Sequence, residues 1–206
     1  MLIIWGRDNS VNVQKALWFC EEAGVAYERR DAGLNFGVVN TDTYRALNPN
    51  GLVPTIDDDG FILWESNAVV RYLASKHSNG VLYPENLQAR ARADQWMDWS
   101  NTTFWPTIRP LFLGLIRTEP SKRDSTLIEQ QRVATANICK TLDAHLSRNE
   151  FIGGDQFSIG DIPLGCSLWR WFAMPVERPS TPNLERWFAQ LKERPAFQKI
   201  VLHPLT

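Results

Sequence analysis

Three short stretches carry side chains whose type and position could do chemistry. Ser10 is expected just after a first strand, at the start of a first helix. Read structurally it is an N-cap, a position that favours Ser. Read chemically, its hydroxyl sits among unpaired backbone N–H groups at the positive end of the helix dipole. A thiol brought there would be held as thiolate. Asn12, within the first turn, offers a second donor. Lowering a thiol pKa by about two units takes roughly 2.7 kcal/mol. One hydroxyl donor plus the dipole supplies energy of that order.

Val53-Pro54 is the second stretch. A proline in a strand lacks a ladder donor and belongs on an edge or at a special turn. A cis Val53–Pro54 bond would instead leave the Val53 N–H and C=O facing out, where an extended peptide could pair with them as an added strand. Only about 5–6% of X-Pro bonds are cis, so the dipeptide alone does not choose. Glu65-Ser66 is the third stretch, at a strand-to-helix junction. As structure it is a helix start with an acidic residue that favours the dipole. As chemistry, the Ser66 hydroxyl and backbone N–H bind a carboxylate, and Glu65 takes an adjacent ammonium. Those two groups describe the α-amino-acid end of a γ-glutamyl peptide.

The elements that position these stretches follow from patterning. Residues 1–80 hold 7 Gly and 2 Pro, and short β-like runs alternate with helical ones. Strands are expected at 2–5, 26–29, 53–57 and 61–64, with Asp59-Gly60 as a hairpin turn. A helix carrying Val13, Leu17 and Cys20 ends at Gly24, a suitable C-cap. A short helix at 41–47 stops before Pro49, and another opens at Ser66. The first two strands are joined by a helix and should be parallel; the last two form an antiparallel hairpin. Residues 81–206 hold 5 Gly and 10 Pro, and helical periods dominate. Helices are expected at 87–105, with Ala91, Trp96 and Trp99 inward and a break at Pro106, then at 127–146, from Ser158, and at 183–191 as the last. The expected division is a domain at 1–80, a linker at 81–87 and a helical domain at 88–206.

Composition narrows the function classes. The 206 residues carry net charge −1, so no basic face for nucleic acid is implied. The longest charge-free stretch is eleven residues, too short to span a membrane, and the N-terminus lacks a signal-peptide pattern. A soluble, cytoplasmic protein is expected. Cys20, Cys139 and Cys166 form no Cys-x-x-Cys pair, and His77, His145 and His203 are scattered. Neither a dithiol centre nor a metal site is expected. Ser158 and Asp161 read as a capping box and Phe157 and Ile162 as its staple, a structural device worth roughly 1 kcal/mol or more.

Four runs together resemble the cytosolic glutathione transferases: Gly6 to Lys15 (GRDNSVNVQK), Asn48 to Thr55 (NPNGLVPT), Trp64 to Ala68 (WESNA), and Phe151 to Ile162 (FIGGDQFSIGDI). Their order and spacing fit over nearly the whole chain. The resemblance is nearest to bacterial, theta- or nu-like members that use a Ser or Thr, with an Asn two residues on, where other classes use Tyr. It implies a thioredoxin-like N-terminal domain, an all-helical C-terminal domain, glutathione as cosubstrate and a homodimer. By that match Ser10 stabilises the glutathione thiolate with Asn12 assisting or substituting. Val53 pairs with the cysteinyl backbone, Pro54 is the cis proline, and Glu65 and Ser66 hold the γ-glutamyl group. Leu52 departs from the pattern, since relatives often place Lys, Arg or Gln there for the glycine carboxylate. Asn35 or a residue of the helical domain is expected to hold that end instead. No Cys stands near position 10, which weighs against exchange through a protein thiol. Trp105 and Arg109, next to Pro106 and Pro110, are the expected lining of a hydrophobic electrophile pocket. The expected activity is transfer of glutathione to an electrophile. A glutathione-dependent disulfide reductase, peroxidase or isomerase and a non-catalytic binding protein are the rivals.

Overall fold

The computed structural model describes residues 1–206. Residues Met1–Tyr83 and Pro84–Thr206 form two compact units. The first holds strands β1 (Leu2–Trp5), β2 (Tyr27–Arg30), β3 (Thr55–Asp58) and β4 (Phe61–Trp64), with helices α1 (Val11–Ala23), α2 (Asp42–Leu47) and α3 (Ser66–His77). The sheet runs β2-β1-β3-β4; β1 and β2 are parallel, and β3 is antiparallel to both β1 and β4. Ile4 faces Arg29 on one side and Ile56 on the other, and Ile4 and Ile56 are fully buried. Helices α1 and α3 pack together, joining Trp18, Phe19, Val69 and Leu73 to that core. Each such side chain contributes about 1.5–3 kcal/mol by leaving water. Gly24 ends α1 in the left-handed region, its N–H reaching the Cys20 and Glu21 carbonyls.

Pairing moves two expected strands. The second lies one residue later than patterning suggests, and the third begins at Thr55, leaving Val53 and Pro54 ahead of the ladder. The physical reason for the second shift is that a proline cannot donate to a ladder.

The helical unit holds α4 (Leu87–Trp99), α5 (Trp105–Phe112), α6 (Ser125–Leu146), α7 (Asp161–Ala173), α8 (Pro182–Lys192) and α9 (Pro195–Ile200). Helix α4 opens at Leu87, where the helix at 87–105 is expected to begin. The expected break at Pro106 does not occur: the chain stays helical from Leu87 to Arg117 through two π-helical turns, Ser100–Phe104 and Leu113–Arg117. A proline ring clashes with the carbonyl one α-turn back. The wide turn just ahead of Pro106, where Trp105 N–H reaches back to Ser100 O, re-routes the bonding so that Pro106 enters at a helix start. The inward face of α4 differs from the expected one, since Ala91 is exposed and Trp96 and Trp99 are half-buried whereas Ala93 and Met97 are buried. Helix α7 begins at Asp161 rather than Ser158, and α9 follows the helix that patterning made the last. Where α7 meets α4, a Cβ on Gly160 would lie 3.1 Å from the Ala93 Cα, so that close approach favours glycine.

Candidate functional site

Ser10 caps α1 in extended backbone (φ −81°, ψ 123°), and its carbonyl takes the first helical bond from Gln14 N–H at 2.9 Å. Its hydroxyl makes no capping bond and no other hydrogen bond within the chain. The side chain is therefore in the capping position without being used as a cap. It is a donor left over at the positive end of a thirteen-residue helix.

Asn12 is oriented from behind. The Ser66 hydroxyl donates to Asn12 Oδ1 at 3.3 Å, and the Lys15 ammonium donates to Ser66 Oγ at 3.3 Å. With Oδ1 engaged, Asn12 Nδ2 has no partner in the chain. Lys15 is 1% exposed, a cation held in the interior beside the first residue of α3. Sequence reasoning missed it. The signal was present, because Lys15 stands between Val13-Gln14 and Ala16-Leu17, in a buried run of α1.

The segment before β3 is fixed by two buried side chains. Asn48 Nδ2 donates to Leu52 O and Thr55 Oγ1, both at 3.0 Å. Tyr44 OH donates to Leu52 O at 2.8 Å and shares a 2.8 Å bond with Thr55 Oγ1. The Val53–Pro54 peptide is cis. Neither the N–H nor the C=O of Val53 is bonded within the chain, so both are open to an added strand.

Glu65 sits at φ 74°, a left-handed conformation uncommon for a residue with a side chain. Such strain is of order 1–3 kcal/mol and collects at functional sites. Glu65 is exposed and its carboxylate is unpaired, while Ser66, next to it, is 3% exposed and opens α3. Asn12, Val53, Pro54, Glu65 and Ser66 line one cavity of about 50 Å³ with Leu52, Asn50 and Trp64. One end offers a helix N-terminus, a hydroxyl and the Lys15 charge; the other offers a free carboxylate. That polarity is complementary to a zwitterionic amino-acid head.

The remaining expected residues are not gathered there. Ser10 lies two residues from Asn12 without lining the cavity. Asn35 is exposed on the 3₁₀ turn Leu34–Phe36, away from that lining. Trp105 and Arg109 stand one turn apart on α5, where Trp105 is half-buried with the Arg170 guanidinium 5.9 Å from its ring and Arg109 is exposed and unpaired. The three cysteines are free and buried. Burial, with Glu21 adding to it, pushes the Cys20 thiol up to about 12, and burial alone does the same for Cys139. Neither is a reactive thiolate. No group of three or more His, Cys, Asp or Glu side chains is placed to hold a metal ion, and no helix is long and apolar enough to cross a membrane.

Residues 9–76 match the family model for the glutathione S-transferase N-terminal domain, and residues 104–195 match that for the C-terminal domain. The chain is 40% identical over 208 residues, the whole of both chains, to glutathione S-transferase GstB of Escherichia coli K12. It is 31% identical over 165 residues to glutathione S-transferase 3 of Zea mays, covering 78% of this chain and 73% of that one. Among solved structures, a theta class glutathione S-transferase from Xanthomonas axonopodis pv. citri with glutathione bound superposes with a TM-score of 0.96 at 47% identity, covering 100% of this chain and 99% of that one. The chain thus belongs to the glutathione S-transferase family, as an enzyme that takes glutathione as its cosubstrate.

Proposed function

We propose that this enzyme holds the glutathione sulfur as thiolate at the N-terminus of α1 and directs it at an apolar electrophile, a detoxifying conjugation. The observation that carries the reading is that the Ser10 hydroxyl and, two residues on, Asn12 Nδ2 are both unspent within the chain. Both are donors at the positive end of one helix, and a developing or full negative charge is what such donors stabilise. The tripeptide backbone pairs with Val53, and its γ-glutamyl head enters the cavity, carboxylate to Ser66 and ammonium to Glu65. The glycine end is assigned to Asn50, which lines the cavity, in preference to Asn35, which does not. The electrophile is assigned to Trp105, whose ring packs it, and Arg109, whose cation draws on an electron-withdrawing substituent.

Calorimetry with glutathione tests the binding half. Glu65→Gln keeps shape but removes the charge that faces the ammonium. A charge-assisted bond of this kind sets affinity by about 10- to 100-fold, so the dissociation constant should rise by that factor. An unchanged constant would place the γ-glutamyl head elsewhere.

We further read the enzyme as a cytoplasmic homodimer. Support comes from the first unit's own surface, where Phe61 of β4 is 48% exposed and its ring lies tilted against that of Tyr72 of α3, centroids 4.9 Å apart. Exposed apolar area of this kind marks an interaction face. In sedimentation, the wild type should run as a dimer and Phe61→Glu as a monomer; a wild-type monomer refutes the assembly.

A further inference from the structure

Lys15 carries a charge that no step of the proposed conjugation uses. It stands three residues after Asn12, so the two side chains leave one face of α1. That face meets the opening of α3, where Ser66 is the first helical residue. Lys15 and Ser66 are both buried, and an ammonium is expensive to take out of water. The direction of the two bonds at Ser66 gives the charge a task. Lys15 Nζ donates to Ser66 Oγ, and Ser66 Oγ donates in turn to Asn12 Oδ1, each at 3.3 Å. An ammonium only donates, and a hydroxyl has a single hydrogen. With Lys15 on an oxygen lone pair, that hydrogen is turned away from the cation and toward Asn12. Asn12 and Ser66 line the cavity and Lys15 does not, so the cation stands one oxygen behind its wall. A hydroxyl backed by a cation is a stronger donor than a hydroxyl alone.

We propose, resting on the assignment of the γ-glutamyl carboxylate to Ser66, that Lys15 is a positioning residue for glutathione: it aims the Ser66 hydroxyl and supplies through it the positive charge that the carboxylate meets. A carboxylate that accepts the Ser66 hydrogen in place of Asn12 Oδ1 lies two hydrogen-bond lengths from Nζ, about 5 Å. Opposite charges at that separation near a protein surface change affinity by at least about tenfold. The charge is needed because Glu65, the ionisable side chain on the lining, is itself a carboxylate and repels the ligand's own. Glu65 thus reads the ammonium of the head, Ser66 touches the carboxylate, and Lys15 sets the sign of the charge behind it.

Two ligands test it by calorimetry on the full chain: glutathione, and γ-aminobutyryl-cysteinylglycine, which differs only in lacking the α-carboxylate. The wild type should prefer glutathione by at least about tenfold. Lys15→Gln keeps a donor for Ser66 and loses the charge. It should bind glutathione about tenfold more weakly and the analogue as the wild type does, so that the preference collapses. In turnover the same loss should appear in KM for glutathione, with kcat little changed. Lys15→Arg, which keeps the charge, should keep the preference. Circular dichroism checks that each variant folds, and Lys15→Met is the second neutral variant where Gln is not tolerated. Lost packing alone would weaken both ligands alike and leave the preference intact; that pattern overturns the proposal, as does a Lys15→Gln protein indistinguishable from wild type. A wild type with no preference for glutathione over the analogue overturns the placement of the carboxylate at Ser66 itself, which separates a failure of that assignment from a failure of Lys15.

Discussion

Ser10→Ala should lower turnover by about one to two orders of magnitude near neutral pH and move the pH midpoint of activity upward by about two units. A free thiol with a pKa near 8.5 is about 3% ionised at pH 7; lowered by two units it is about 75% ionised. The hydroxyl left unbonded at the start of α1 is the largest single donor available for that shift. The more basic thiolate of the variant is also the better nucleophile, which offsets part of the loss. The pH midpoint is therefore the sharper readout, and the two proteins should converge above pH 9, roughly the range where a free thiol is ionised unaided. Glutathione affinity should change little, because the proposed binding mode assigns the rest of the tripeptide to Glu65, Ser66 and Val53. A pH–rate profile measured with a chloronitrobenzene-type electrophile decides it. An unaltered midpoint removes Ser10 from the mechanism and leaves Asn12, whose Nδ2 is also uncommitted.

What the sequence made legible here was local. Ser10 before a helical run, a Val-Pro dipeptide ahead of a strand and Glu65-Ser66 at a junction each announce themselves within a few residues. The fold class followed from the same short-range signals together with the four matching runs. The coupling between them did not, since Lys15 and Ser66 are 51 positions apart and Ser66 and Asn12 are 54. Nothing local says that a lysine on α1 will be buried against the first turn of α3. Asn35 illustrates the converse: an asparagine in a glycine-bounded loop is a plausible donor by type, but the turn carries it to the exposed surface while Asn50 takes a place on the cavity lining. Pro106 was misread for a related reason. A proline ends an α-helix by default, and only the π turn ahead of it lets the chain continue.

Asp161→Ala should destabilise the helical unit by about 4 kcal/mol or more, well beyond the roughly 1 kcal/mol that a cap alone is worth. The capping-box half of the expectation is present: Asp161 Oδ2 accepts from Ser158 N–H at 2.9 Å and from the Ser158 hydroxyl at 3.4 Å, and Ser158 Oγ accepts from Gly160 N–H at 3.3 Å. The other oxygen does work that patterning could not show. Oδ1 accepts from Ile152 N–H and from Trp187 Nε1–H, each at 2.8 Å, tying the segment before α7 and the fully buried indole of α8 to one carboxylate. Removing it orphans three buried N–H groups, each costing about 1–3 kcal/mol. Asp161→Asn keeps one acceptor oxygen but turns an NH₂ toward Ser158 N–H, so an intermediate loss of about 2–3 kcal/mol is expected. Burial pushes the Asp161 carboxyl up to about 6, against the donors that hold it down. Between the ordinary carboxylate range and pH 6, the folded chain keeps a proton that the unfolded chain has lost, so stability falls as pH rises through that window and is flat above it. Asn does not titrate. The deficit of Asp161→Asn relative to wild type should therefore widen as pH drops from 7 to 4, by roughly 2–3 kcal/mol. Denaturant unfolding followed by circular dichroism at several pH values measures both effects. A deficit that is constant across that range would show the carboxylate ionised throughout, and an Asp161→Ala chain within about 1 kcal/mol of wild type would mean the three donors find water instead.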